Sequence, residues 1–123
     1  MARILVIDDE ENLQKLVRAN LAARKHHVFL ASDGEKGLNI AHKEQPDLIF
    51  LDLMMPGMSG WEVLTTLKTD EALKKVPVVI MTAAILRNQE EQAYEMGACS
   101  YLVKPFGVDE LLRHVTGALR QDA

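Results

Sequence analysis

Five polar residues sit where apolar runs stop. Asp8 and Asp9 follow Ile4-Leu5-Val6-Ile7, and Asp52 follows Leu48-Ile49-Phe50-Leu51. Thr82 follows Val78-Val79-Ile80-Met81, and Lys104 follows Tyr101-Leu102-Val103. Short, continuous apolar runs read as strands buried on both faces, the habit of parallel sheets. Open α/β sheets bind ligands along the carboxyl edge of their strands. If these runs share one sheet, three carboxylates, one ammonium and one hydroxyl meet at that edge. Carboxylates brought together resist ionising unless positive charge joins them. Lys104 supplies one such charge, and the remaining formal charge of about −2 matches a divalent cation. A few hard oxygen ligands suit Mg²⁺ with retained waters. The chemistry indicated is metal-assisted phosphoryl chemistry.

Each residue also has an ordinary explanation. Asp after a strand often caps the next helix, Asp is common in turns, Thr is common in strands, and Lys at a strand end is usually surface charge. Capping accounts for one of Asp8 and Asp9 more easily than for both. It does not account for Asp52, which Pro56 and Gly57 separate from the following helix. Lys104 precedes Pro105, and X-Pro is the one peptide bond where cis is readily reached; a cis bond there is expected to aim Lys104 into the site. His26, His27, His42 and His114 are scattered without ligand spacing. No Walker, Rossmann or nucleophile-elbow motif is recognisable.

The elements that must position these residues alternate along the chain. Strands are predicted at Ile4–Ile7, Val28–Ala31, Asp47–Leu51, Val76–Met81 and Ser100–Val103. Helices are predicted near Glu11–Arg24, Glu35–His42, Ser59–Leu67, Asn88–Met96 and Val108–Leu119. The last shows the clearest stripe, with Val108, Leu111, Leu112, Val115 and Leu119 at helical spacing. Ser59-Gly60-Trp61-Glu62 has capping-box spacing. The result is βα five times over, an α/β fold, and right-handed crossovers place helices on both sides of the sheet.

A chain of 123 residues with 48% hydrophobic and 26% charged composition fits one domain, residues 1–123. No apolar run reaches membrane-spanning length, and an apolar strand right after Met1-Ala2-Arg3 leaves no room for a signal peptide. Cys99 is the single cysteine, in keeping with a reducing cytosol. A net charge of −4 without a basic tract argues against direct nucleic-acid binding.

Together these residues resemble the receiver domain of two-component response regulators. The resemblance runs over essentially the whole chain. It is carried by Asp8-Asp9, Asp52-Leu53-Met54-Met55-Pro56-Gly57, Thr82-Ala83 and Lys104-Pro105-Phe106. It implies a single doubly wound, flavodoxin-like (βα)5 domain with strand order 2-1-3-4-5. It makes Asp52 the phosphoacceptor for a phosphohistidine on a histidine kinase or phosphotransfer protein. Asp9, Asp52 and the backbone carbonyl of Met54 would hold Mg²⁺, with Asp8 acting through a bound water. Lys104 would neutralise the phosphoryl oxygens. Thr82 would bond one of them and draw its loop inward, and Tyr101 would turn toward the interior as the switch aromatic. The fourth helix, fifth strand and last helix would form the remodelled face, open to a downstream protein or to a phosphorylation-dependent dimer. Such a protein is cytoplasmic, and not an enzyme beyond catalysing its own phosphorylation and autodephosphorylation. Met54 and Ala84, each two positions beyond a key residue, offer no general base, so a slowly decaying phosphoryl state is expected.

Two rival readings use the same residues. A Mg²⁺-dependent phosphohydrolase with an Asp nucleophile usually carries an acid where this chain has Met54. A phosphorylation-independent interaction module would have no need of the full set of Asp8, Asp9, Asp52, Thr82 and Lys104.

Overall fold

The computed structural model describes residues 1–83 and 89–120. Strands and helices alternate: β1 (Arg3–Ile7), α1 (Glu11–Ala22), β2 (His27–Ala31), α2 (Gly34–Glu44) and β3 (Leu48–Asp52). Then come α3 (Gly60–Thr69), β4 (Val78–Ala83), α4 (Glu90–Glu95), β5 (Ser100–Lys104) and α5 (Val108–Arg120). The strands form one parallel sheet in the order β2-β1-β3-β4-β5, the order the resemblance implied.

Side chains alternate across a strand, and the core divides accordingly. Leu5, Ile7, Ile49, Leu51 and Ile80 pack with Val63, Leu64 and Leu67 of α3, Ala41 of α2 and Ala93 of α4. Ile4, Val6, Leu48, Phe50, Val79, Met81 and Leu102 pack with Val17 and Leu21 of α1 and Leu111 and Val115 of α5. Counting on by twos, Asp8, Asp52 and Lys104 continue the α1/α5 face. Thr82 continues the opposite face, to which Tyr101 also belongs.

Element ends differ from the sequence expectation for local reasons. Asp47 lies before β3: its amide donates to the Arg3 carbonyl at 2.7 Å, and its carboxylate accepts from the Arg3 amide at 2.8 Å. β3 instead runs through Asp52, making it the last residue of the strand. β4 begins at Val78 rather than Val76, because Pro77 has no N–H to give the ladder. It runs through Ala83, pairing Thr82 with Val103 and Ala83 with Lys104. The helix expected to reach Arg24 closes in a Schellman turn. His26 N–H donates to the Leu21 carbonyl at 3.1 Å and Lys25 N–H to Ala22 at 2.9 Å, with Lys25 left-handed at φ 69°. Ser59 caps α3 as expected, its hydroxyl accepting from the Glu62 amide at 3.3 Å. Asn88, the expected start of the fourth helix, lies outside the described residues.

Candidate functional site

The register places β1, β3, β4 and β5 side by side, with Ile7 opposite Leu51 and Asp52 opposite Met81. Asp8 and Asp52 therefore stand on adjacent strand ends. Asp8 is anchored first through its backbone: its amide donates to the Ala31 carbonyl at 3.0 Å. Its Oδ1 then accepts from the Glu10 amide at 2.8 Å. In the same way Asp52 Oδ1 accepts from the Met54 amide at 3.0 Å. This carboxylate-to-second-amide turn is a local habit of Asp. It leaves each Oδ2 facing inward.

Lys104 fills the space between them. Its Nζ lies 2.8 Å from Asp8 Oδ2, 3.2 Å from Asp52 Oδ2 and 2.7 Å from Glu10 Oε1. The contact with Asp8 is an ion pair that lacks hydrogen-bond geometry, so that oxygen keeps an unused acceptor. The Lys104–Pro105 peptide is cis, as the sequence reading anticipated. Between β5 and β3, β4 contributes Ala83, paired in register with Lys104.

Asp8 and Thr82 are fully buried, and Asp52 is 3% exposed. Burial lifts the Asp52 carboxyl to about 6; the Met54 amide and Lys104 oppose the rise, and the Asp8 charge adds to it. Burial raises Asp8 as well, against the pull of Lys104 and the Glu10 amide. For Lys104, burial acts downward, but the close contacts with Asp8 and Glu10 and the charges of Asp8 and Asp52 outweigh it and raise the ammonium. Burial is the main reason that the two acids resist ionising, and by formal count three carboxylates face one ammonium, which leaves the cluster negative. Carboxylate oxygens of Asp8, Glu10 and Asp52 lie within 4.8 Å of one another. The unused Asp8 oxygen, the close oxygens and the excess negative charge fit a divalent cation such as Mg²⁺.

The structure thus brings together Asp8, Asp52 and Lys104, with Thr82 on the neighbouring strand end. The Thr82 hydroxyl has no hydrogen-bond partner among the described residues. Asp9 is exposed on the turn, and its carboxylate is not among the three clustered. Met54 holds Asp52 through its amide, while its side chain is 60% exposed. Tyr101 is buried on the α2–α4 face, and burial with nearby Glu90 and Tyr94 raises its phenol. Ala84 lies outside the described residues. The histidines occupy unrelated contacts: His26 with the Ala2 amide, His42 with Asp70, His114 with Ser100 and His27 stacked on Phe29.

Three contributors were not read from the sequence. Glu10 is the third partner of Lys104. Gln14 donates its amide to the carbonyls of Asp8 and Ala31, the latter at 3.2 Å, tying the end of β1, which leads into Asp8, to the end of β2. Gly60 opens α3 against the end of β3: a Cβ there would sit 2.3 Å from the Asp52 carbonyl oxygen and 2.4 Å from Leu53 Cα.

A model of the response regulator receiver domain matches residues 4–116. This chain belongs to the response regulator receiver domain family. It is 42% identical over 121 residues to the DNA-binding dual master transcriptional regulator RpaA of Synechocystis sp., covering 98% of this chain and 50% of that protein. It is 40% identical over 119 residues to the transcriptional regulatory protein HprR of Escherichia coli, covering 97% and 52%. The chain therefore spans about half the length of these relatives. Among solved structures, the chemotaxis response regulator CheY4 of Vibrio cholerae superposes with a TM-score of 0.90 at 29% identity, covering 97% of this chain and 99% of that one. The fold and the order of its strands are those of this receiver family. Among the described residues no helix is long and apolar enough to cross a membrane.

Proposed function

We propose that residues 1–123 form one receiver unit in which Asp52 accepts a phosphoryl group from a phosphohistidine. The observation that carries this reading is the Asp52 carboxylate: buried, with one oxygen fixed by the Met54 amide and the other turned to Lys104. Asp52 Oδ2 attacks phosphorus; a new O–P bond forms as the P–N bond to the donor imidazole breaks, and the departing nitrogen keeps the electron pair. With acetyl phosphate the P–O bond breaks and acetate leaves. The product is an aspartyl phosphate.

Because the nucleophile is already ionic, the protein's work is alignment and charge. Asp52, Asp9 and the Met54 carbonyl would hold Mg²⁺, with Asp8 acting through water. The ion supplies positive charge to the transferring phosphoryl oxygens. Lys104 supplies the rest from the far side of Ala83.

The phosphorylated state is then read through Thr82. Its buried hydroxyl gains a partner in a phosphoryl oxygen, which favours the conformer in which the end of β4 draws in. Tyr101, already buried on the same face of the sheet, changes rotamer with it. The α4–β5–α5 surface presents the result to a protein partner or a second copy. Phosphorylation shifts a pre-existing equilibrium by its differential contacts with the two states. We take the chain to act in the cytoplasm through protein contacts, catalysing only its own phosphorylation and dephosphorylation. With Met54 two residues after Asp52, no side chain at that position offers a base, and the phosphoryl state decays slowly.

The test is intact mass after incubation with acetyl phosphate and Mg²⁺, with and without EDTA, beside Asp52→Asn. One metal-dependent phosphoryl addition, lost in the variant, is expected. Labelling that persists in Asp52→Asn would move the acceptor elsewhere. If metal-replete protein takes no phosphoryl group from acetyl phosphate or from a phosphohistidine donor, the interaction module becomes the better reading.

A further inference from the structure

We propose that Glu10 is the releasable counter-ion of Lys104 and sets how readily the site admits an anionic phosphodonor. The inference rests on the reading of Asp52 as acceptor.

A lysine ammonium has three N–H groups and no acceptor. Lys104 has three carboxylate partners, Asp8, Asp52 and Glu10, at 2.8, 3.2 and 2.7 Å. Two of its N–H groups are engaged, by Glu10 and Asp52, and the ion pair with Asp8 crowds the third, so a phosphoryl oxygen gains full access to the ammonium only when one partner gives way.

Burial decides which one. Asp8 and Asp52 are shut away from water, and their Oδ1 atoms are fixed by the amides of Glu10 and Met54. Removing Lys104 from either strands a buried charge, which is costly. The Glu10 side chain is 60% exposed, and water replaces the ammonium at little cost. Glu10 also stands at the N-cap of α1 with no side-chain capping bond of its own. Once released, its carboxylate finds favourable surroundings beside the first amides of that helix. Until it leaves, it presents a negative charge to each incoming phosphoryl dianion and occupies the ammonium that group needs. No other acid of the cluster combines exposure with a direct hold on Lys104, since Asp9 is exposed but not in contact with it.

The test compares wild type with Glu10→Gln and Glu10→Ala at saturating Mg²⁺, following labelling by acetyl phosphate as intact mass, with Mg²⁺ affinity measured separately by calorimetry. Both variants should label faster by about two- to fivefold, the worth of a partly exposed ion pair. The advantage should shrink as salt rises, because the contact lies at the solvent edge. Mg²⁺ affinity should change by no more than about twofold. Rates equal to or below wild type overturn the proposal. So does a tenfold loss of Mg²⁺ affinity, which would make Glu10 a metal ligand. A wild type that binds Mg²⁺ yet takes no label would instead remove the reading of Asp52, and this inference with it.

Discussion

Asp8 and Asp52 are held by the same device on neighbouring strands. Each gives one carboxylate oxygen to the backbone amide two residues on, at 2.8 and 3.0 Å, and turns the other toward Lys104. The two acids are thus oriented by their own turns before any ligand arrives. What the pair lacks is positive charge, and the predictions below follow from that deficit and from the packing around it.

Replacing Asp52 with Asn should stabilise the metal-free protein. A carboxyl whose folded pKa is about 6, above its unfolded value near 3.9, favours folding most when protonated. That contribution is complete below the unfolded pKa and is lost as pH rises through about 6. At pH 8 the wild type bears the full cost of an ionised Asp52, about 1–3 kcal/mol from a shift of roughly two units. Thermal melts in EDTA should show Asp52→Asn ahead of wild type by more at pH 8 than at pH 5. A gap that stays constant or narrows would contradict the shift.

Mg²⁺ should act in the opposite sense to that cost. Binding to the folded state alone stabilises by about 1.4 kcal/mol at ten times the dissociation constant. The gain should fall below pH 6, where protons compete for Asp52, and should be much smaller in Asp52→Asn. Calcium-free melts titrated with MgCl₂ at pH 5, 6 and 8 measure it. An equal gain in the variant would place the ion elsewhere.

Thr82→Val should separate stability from signalling. The buried hydroxyl has no partner among the described residues, and an unsatisfied polar atom costs about 1–3 kcal/mol. The near-isosteric valine should therefore raise the urea midpoint. It should still accept phosphoryl at Asp52 while binding partner with a smaller difference between phosphorylated and unphosphorylated forms. A destabilised variant would mean that the hydroxyl is already satisfied.

Gly60→Ala should be disruptive although alanine is the better helix former. Its methyl would meet backbone atoms of Asp52 and Leu53 at 2.3 and 2.4 Å, and backbone cannot rotate aside as a side chain can. A loss of roughly 1–3 kcal/mol, typical of overpacking, is expected in urea unfolding. Slower labelling of the molecules that remain folded should accompany it. Gly117, with open space around it, serves as the control for a glycine-to-alanine change within a helix.

The sheet was legible because its strands are continuous apolar runs, and the division of its two faces follows from counting by twos. The positions of Asp8, Asp52, Thr82 and Lys104 at one edge followed from that reading. Boundaries failed where hydrophobicity and hydrogen bonding part company: Val76 and Pro77 are apolar enough for a strand, but Pro77, although its carbonyl accepts from the Ile49 amide, has no N–H to donate to the ladder. Glu10 escaped because its place depends on two things no periodicity records. The Asp8 turn closes on the amide of Glu10 itself, and Lys104 arrives from the other end of the chain. Gln14 looked like any polar residue on the first helix, since its partners are backbone carbonyls that carry no sequence signal. Ala84 and Asn88 fall outside the described residues, so the expectations placed on them have no structural counterpart here.

The absence of a side chain at Gly60 has a mechanical meaning. The end of β3 rests directly on the first turn of α3, without the clearance of a methyl group. The backbone that carries Asp52 therefore has no slack toward α3. Any adjustment of that strand end has to be taken up on a side other than the one α3 occupies.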